Sequence, residues 1–128
     1  MDELKDAAEE VFERLGSSWT ESVYHSALER ELSERGVPFT SEGTIPVMYR
    51  GTPVGRRRPD LFVVTEFGLV VVELKAGSSS GDDQLRQYIG MTTDDENLGE
   101  IVGGALIRFN DELEYEYTMI TDSESDSE

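Results

Sequence analysis

Apolar and polar residues recur along this chain with two different periods, and the change of period marks out its elements. Leu4, Ala7, Ala8, Val11, Phe12 and Leu15 fall three or four apart, which predicts one helix over residues 2–15 with a single apolar side. Gly16 follows in the position that suits a left-handed residue after a helix end. A second helix is predicted over residues 19–35, opened by Ser17 and Ser18 and closed by Gly36 and Pro38, with its stripe through Tyr24, Ala27, Leu28 and Leu32. Beyond residue 36 the period drops to two. Short strands are predicted at 37–41 and 45–49, and Pro46 confines the second to an edge. Arg50, Gly51, Thr52 and Pro53 read as a turn. Gly55, Arg56, Arg57 and Arg58 read as a basic loop leading into Asp60.

Residues 59–76 read as two adjacent strands joined at Thr65, Glu66, Phe67 and Gly68, and residues 69–72 are apolar on both faces, as in a strand covered on both sides. A Gly/Ser loop at 77–81 precedes helix signals at Asp82 and Asp83, with Leu85, Tyr88 and Ile89 inward. A polar, acidic loop at 92–98 leads to a buried strand at 101–107, whose Gly103 and Gly104 permit close backbone approach. Leu113, Tyr115, Tyr117 and Met119 alternate with Glu112, Glu114, Glu116 and Thr118, the pattern of a half-exposed edge strand. Residues 121–128 form a Ser/Asp/Glu tail with too little apolar content to order itself.

The length of 128 residues suits one domain. There is no cysteine, which excludes disulfides and thiolate metal sites, and no apolar run of membrane-spanning length. A soluble, cytoplasmic protein with no membrane partner is the default expectation. The formal charge of −17, from 28 acids against 11 bases, repels nucleic acid in dilute buffer. Two accounts fit it: an acidic shell of the kind a salt-rich cytoplasm favours, or an acidic surface facing a basic partner. The spread of the acids against the clustering of Arg50, Arg56, Arg57 and Arg58 favours the first, and with it a need for molar salt.

The strand of residues 69–72 continues into Glu73, Leu74 and Lys75. Because side chains alternate, Val71, Glu73 and Lys75 share one face, while Val70, Val72 and Leu74 share the other. If the two strands pair antiparallel, Asp60 lies near Glu73. Two carboxylates and an ammonium in one small volume suit a hard cation such as Mg²⁺ or Mn²⁺, with Lys75 orienting the attacking water or stabilising phosphate charge. The plainer reading is a surface ion pair where the strand leaves the core. Glu21 lies three residues before Tyr24 on the inward stripe of the second helix. Ser18, Trp19, Thr20 and Glu21 match a capping box, so Glu21 either caps the backbone of Ser18 or joins the acids. His25, the one histidine, reads as solvated. Arg56, Arg57 and Arg58 either hold phosphates or neutralise neighbouring acids.

In order, these features are a helix acid, Pro59-Asp60, Glu73-Leu74-Lys75, and Gln84 and Tyr88 four apart on a helix. The set resembles the PD-(D/E)XK nuclease superfamily. More narrowly it is similar to the GxxExxY family, through Glu21 and Tyr24, Ala27-Leu28, Glu31-Leu32, Ile45-Pro46-Val47 and Val72 to Ala76, although Ser18 stands where the family glycine falls. The resemblance covers residues 11–109. It implies one nuclease-like domain over residues 1–120, with a three-layer, restriction-endonuclease-like α/β fold: a central mixed sheet of about four core strands and helices on both sides. It also implies that Glu21, Asp60 and Glu73 bind Mg²⁺ or Mn²⁺, with the Leu74 carbonyl as a further ligand. Lys75 would act on the water, and Gln84 and Tyr88 would support the site or touch the nucleic-acid backbone. The expected activity is metal-dependent phosphodiester hydrolysis in DNA. A binding or accessory module on the same fold, and a junction-resolving homodimer, are the alternatives.

Overall fold

The computed structural model describes residues 2–41, 43–77 and 100–119. Two helices precede seven strands: α1 (Asp2–Leu15), α2 (Glu21–Glu34), β1 (Phe39–Thr40), β2 (Ile45–Tyr49), β3 (Thr52–Arg57), β4 (Leu61–Thr65), β5 (Gly68–Ala76), β6 (Ile101–Phe109) and β7 (Leu113–Met119). The helix expected from residue 82, with Gln84 and Tyr88, the loop at 92–98 and the tail at 121–128 lie outside the described residues.

Both helices end as their glycines require. Gly16 takes φ +74° and donates to the Phe12 carbonyl at 2.8 Å. At the end of α2, Gly36 takes φ +72° and donates to Ser33, while Val37 donates to Leu32, so two orphan carbonyls are satisfied in a Schellman turn. Neither helix is long and apolar enough to cross a membrane.

Five strands form one sheet in the order β1-β4-β5-β6-β7, one more than the four expected because the two-residue β1 adds to the edge of β4. β4 and β5 pair antiparallel from Leu61↔Val72 to Thr65↔Gly68, leaving Glu66 and Phe67 as the turn. β5 and β6 run parallel, and β7 returns antiparallel along the far edge. The sheet is therefore mixed. Its alternation sorts the core into two layers. Leu61, Val63, Val70, Val72, Leu74, Ala105, Ile107 and Phe109 pack on one face against Leu4, Ala8 and Val11 of α1 and Tyr24, Leu28 and Leu32 of α2. Phe62, Leu69, Val71, Ile101 and Leu106 pack on the other, where Ile45 covers them. This is the α/β arrangement of a restriction-endonuclease-like fold, with α1 and α2 both on the first face.

The basic loop expected at residues 55–58 is instead largely strand. β2 and β3 pair antiparallel, with Ile45↔Arg57 and Pro46↔Arg56, as a two-stranded ribbon separate from the main sheet. Its turn is only Arg50 and Gly51, both with positive φ (54° and 80°), the backbone twist that two-residue hairpins favour. β3 is exposed along its whole length, so it carries none of the apolar alternation that announces a half-buried strand.

Candidate active site

β4 begins at Leu61, opposite Val72, but β5 runs on to Ala76 with β6 still beside it, up to the pair Ala76↔Phe109. Over this last stretch, among the described residues, β5 therefore has a strand on one edge only. The backbone groups on its open edge need partners from elsewhere. Asp60, at the bend before β4, supplies one: its Oδ2 accepts the Leu74 N–H at 2.6 Å. Glu21 supplies the next, its Oε2 accepting the Ala76 N–H at a longer 3.4 Å. Donors two residues apart are separated by about 6.6 Å along a strand, and the carbonyl of a residue points to the same edge as its N–H. The Leu74 carbonyl thus faces the edge that the two carboxylates line.

Glu21 reaches this edge as the first residue of α2. The helix starts two residues later than the sequence suggested, with Thr20 as N-cap and no side-chain cap bond, so the Ser18 capping box does not form. Ser18 instead takes φ +80° in the turn between the helices, and the Glu21 side chain is directed to β5. Tyr24 holds this turn in place. Its hydroxyl donates to the Gly16 carbonyl at 2.7 Å and accepts the Trp19 N–H at 3.3 Å, while its ring stacks on Phe109 with centroids 4.1 Å apart.

Glu73 and Lys75 stand on the sheet face of Phe62, Val71 and Leu106, as alternation required. Glu73 is only 9 % exposed and Lys75 is half-buried. A surface ion pair does not describe a carboxylate this deep, since burial removes hydration that only polar partners restore. Register adds a cation that sequence reasoning missed: Arg108 is the parallel neighbour of Lys75, as Leu106 is of Glu73. Arg108 is nearly buried at 12 % side-chain exposure and bonds Glu114 at 3.2 Å. The signal was one charged residue just past the apolar run at 101–107. The strand runs on through it to Phe109, two residues beyond the expected end.

Of the remaining candidates, Arg56 and Arg57 lie on β3, and Arg58 and the buried Pro59 lead from β3 to Asp60. Gln84 and Tyr88 are outside the described residues. His25 is half-buried rather than solvated, with Nε2 3.1 Å from Glu29 Oε2. Beyond Ala76 the strand ends open on a cleft bordered by Trp19, Gly77, Asn110 and Asp111. A larger cleft between Pro38, Thr65, Phe67 and Tyr117 lies at the opposite end of the sheet and contains none of the candidate residues.

Asp60 is thus tied to the strand that carries Glu73 and Lys75 where an antiparallel pair parts, at the end of the central strand. The family model of the PD-(D/E)XK nuclease superfamily matches residues 1–120. The chain belongs to the PD-(D/E)XK nuclease superfamily. Comparison with curated proteins and with solved structures gave no match. Membership of this nuclease superfamily implies interaction with nucleic acid, and its nucleases generally use divalent metals.

The donors in this PD-(D/E)XK domain fit such an ion in kind. Asp60, Glu73 and the Leu74 carbonyl offer hard oxygens, and an ionised Asp60 retains acceptor capacity beyond its bond to Leu74. No three acids or histidines among the described residues are grouped closely enough to cage a metal. Glu21, Asp60 and Glu73, expected to share the ion, are therefore not grouped as a cage of three; Mg²⁺ is commonly held through one or two carboxylates and keeps several waters.

Proposed function

We propose that the protein is a metal-dependent nuclease that hydrolyses phosphodiester bonds in DNA. The observation that carries this reading is the Asp60 carboxylate bonded to the Leu74 N–H, which ties Asp60 to the strand segment bearing Glu73 and Lys75. Asp60, Glu73 and the Leu74 carbonyl would hold Mg²⁺ or Mn²⁺, with Glu21 next along the same edge. Bound there, the ion supplies Lewis-acid polarisation of the phosphate and a readily ionised water. Lys75 sets an ammonium beside the reacting phosphate and orients the attacking water, and Arg108 adds a second positive charge on the same face. Gln84 and Tyr88, outside the described residues, would by the family resemblance support the site or touch the nucleic-acid backbone. The finer placement in the GxxExxY family is supported by Glu21 and Tyr24, which join the start of α2 to β5 and to the preceding turn.

The test is cleavage of linear, circular, single-stranded and branched DNA in molar KCl with Mg²⁺ or Mn²⁺. Asp60→Asn keeps an acceptor for the Leu74 N–H while removing the charge, so it should lower the rate at least about a hundredfold and leave the fold intact. Glu73→Gln and Lys75→Ala should behave alike. Variants that cleave as fast as the parent overturn the assignment.

One observation favours a second reading, a nuclease-fold binding module acting through a partner. Asp60 and Glu21 both accept backbone N–H groups, a task that needs no chemistry. The two readings part on metal titration. A nuclease site gives a saturable rise in melting temperature with Mg²⁺ or Mn²⁺, as any ligand of the native state does, whereas the module gives none. A junction-resolving homodimer is a narrower form of the first reading, and native mass at high salt decides it.

A further inference from the structure

Residues 43–59 contain four arginines and no acid, in a chain whose formal charge is −17. They correspond to the β2–β3 ribbon and its two ends. No other stretch of comparable length in the sequence combines this many bases with no acid. The ribbon is seated at its root, where Ile45 is fully buried against Phe62 and Val71; Pro46 and Val47 are half-buried, and Met48, Tyr49 and all of β3 are exposed. Met48, Tyr49 and Val54 are 53 %, 63 % and 62 % exposed, and the Arg50 guanidinium lies over the Tyr49 ring, 5.9 Å from its centroid. A two-stranded ribbon standing off a sheet is marginal by itself, and exposed large apolar groups on it mark a surface that meets something.

Register decides what that is. Cross-strand partners share a face, so Arg57 lies on the Ile45 face and Arg56 on the Pro46 face. The two arginines therefore project from opposite sides of the ribbon. An arm with cations on both sides, and with Tyr49 under Arg50 at its tip, suits a channel with phosphate on each wall. The B-DNA major groove is about 12 Å wide and admits a two-stranded ribbon, whereas the A-form RNA major groove is deep and narrow.

We propose that the β2–β3 ribbon is a DNA-docking arm that lies in the major groove of a duplex, with Arg56, Arg57 and Arg58 on the flanking phosphates and Tyr49 and Arg50 at the base edges. The arm deepens the nuclease reading and rests on it for its choice of partner. Its last strand runs through Arg58 and Pro59 directly into Asp60, so a duplex held along the ribbon is carried toward the open end of β5. The arm also removes the conflict between an acidic molecule and an anionic substrate, since repulsion acts across the whole surface but contact is made where the local charge is positive.

The experiment is fluorescence anisotropy with the full chain in EDTA, which separates binding from cleavage. DNA duplex, single-stranded DNA and RNA duplex of one sequence are titrated, with KCl varied over the range in which circular dichroism shows the chain folded. The parent should prefer the DNA duplex, with log K falling against log [KCl] by a slope of about 3 for three phosphate contacts. Replacing Arg50, Arg56, Arg57 and Arg58 together by Ser should flatten that slope and remove the preference, while replacing all four by Lys should keep the slope, which guards against misfolding as the cause. Tyr49→Ala should weaken duplex binding about tenfold with the slope unchanged. The proposal is overturned if the Ser variant binds with the parent's slope, if RNA duplex or single strand binds as tightly as DNA duplex, or if the parent is a dimer that the Ser variant dissolves, which would make a second copy the arm's partner. Arginine-dependent duplex binding without cleavage under Mg²⁺ would sink the nuclease reading and leave the arm standing.

Discussion

At the residue scale the site is held by bonds that particular side chains make to backbone, and Tyr24 is the clearest case. Its hydroxyl joins Gly16 and Trp19 across the turn that delivers Glu21 to β5. Tyr24→Phe keeps the ring stacked on Phe109 but leaves the Gly16 carbonyl without its donor. We expect a loss of about 1–2 kcal/mol in urea denaturation, together with faster hydrogen exchange at Ala76, whose N–H bonds Glu21. A stability loss with Ala76 exchange unchanged would mean that Glu21 is placed by something else. The shared face of Glu73 and Lys75 was legible in the sequence because alternation alone assigns a face once a strand is recognised, and the nearness of Asp60 followed from antiparallel pairing of the two strands. Glu21 was half legible: a local capping box and a place among the acids fitted equally well, and only the fold, which sets it against Ala76 55 residues away, excludes the cap. Arg108 was hidden for a different reason: it follows a long apolar run, and strand ends are the least certain part of any pattern.

Among elements, the β4–β5 hairpin sets the geometry of everything around it, and Gly68 is its tightest point. Gly68 takes φ +142°, and a Cβ there would lie 2.7 Å from the Glu100 carbonyl oxygen and 2.8 Å from Val102 Cγ1. Gly68→Ala combines a strained backbone with a backbone clash, and should cost about 2 kcal/mol or more by thermal or urea melts. A neutral substitution would show that β6 can draw away from β5 at this end. The elements most legible in the sequence were those whose apolar residues face a core: α1, α2, β4, β5, β6 and β7. The β2–β3 ribbon was only half legible. Ile45, Val47 and Tyr49 showed one strand, but Arg56 and Arg57 gave the other no period to read.

For the whole molecule the governing quantity is the charge of −17. Screening lengths shrink from about 10 Å at 0.1 M salt to about 3 Å at 1 M, so mutual repulsion of the acids falls sharply over that range. The melting temperature should therefore climb through molar KCl, and a chain equally stable in dilute buffer would refute the saline adaptation inferred from composition. The order of the strands along the chain has a further consequence, for how the molecule comes into being. The Asp60–Leu74 bond spans 14 residues and is closed by a hairpin, whereas the Glu21–Ala76 bond spans 55. Closing the longer loop costs about 1 kcal/mol more in chain entropy. Asp60, Glu73 and Lys75 can thus be brought into register by a local folding event, while Glu21 must wait for α2 to dock. During synthesis Glu21 leaves the ribosome before Asp60, Glu73 and Lys75 but is seated after them, so a half-made chain can hold those three in register before it has a stable body around them.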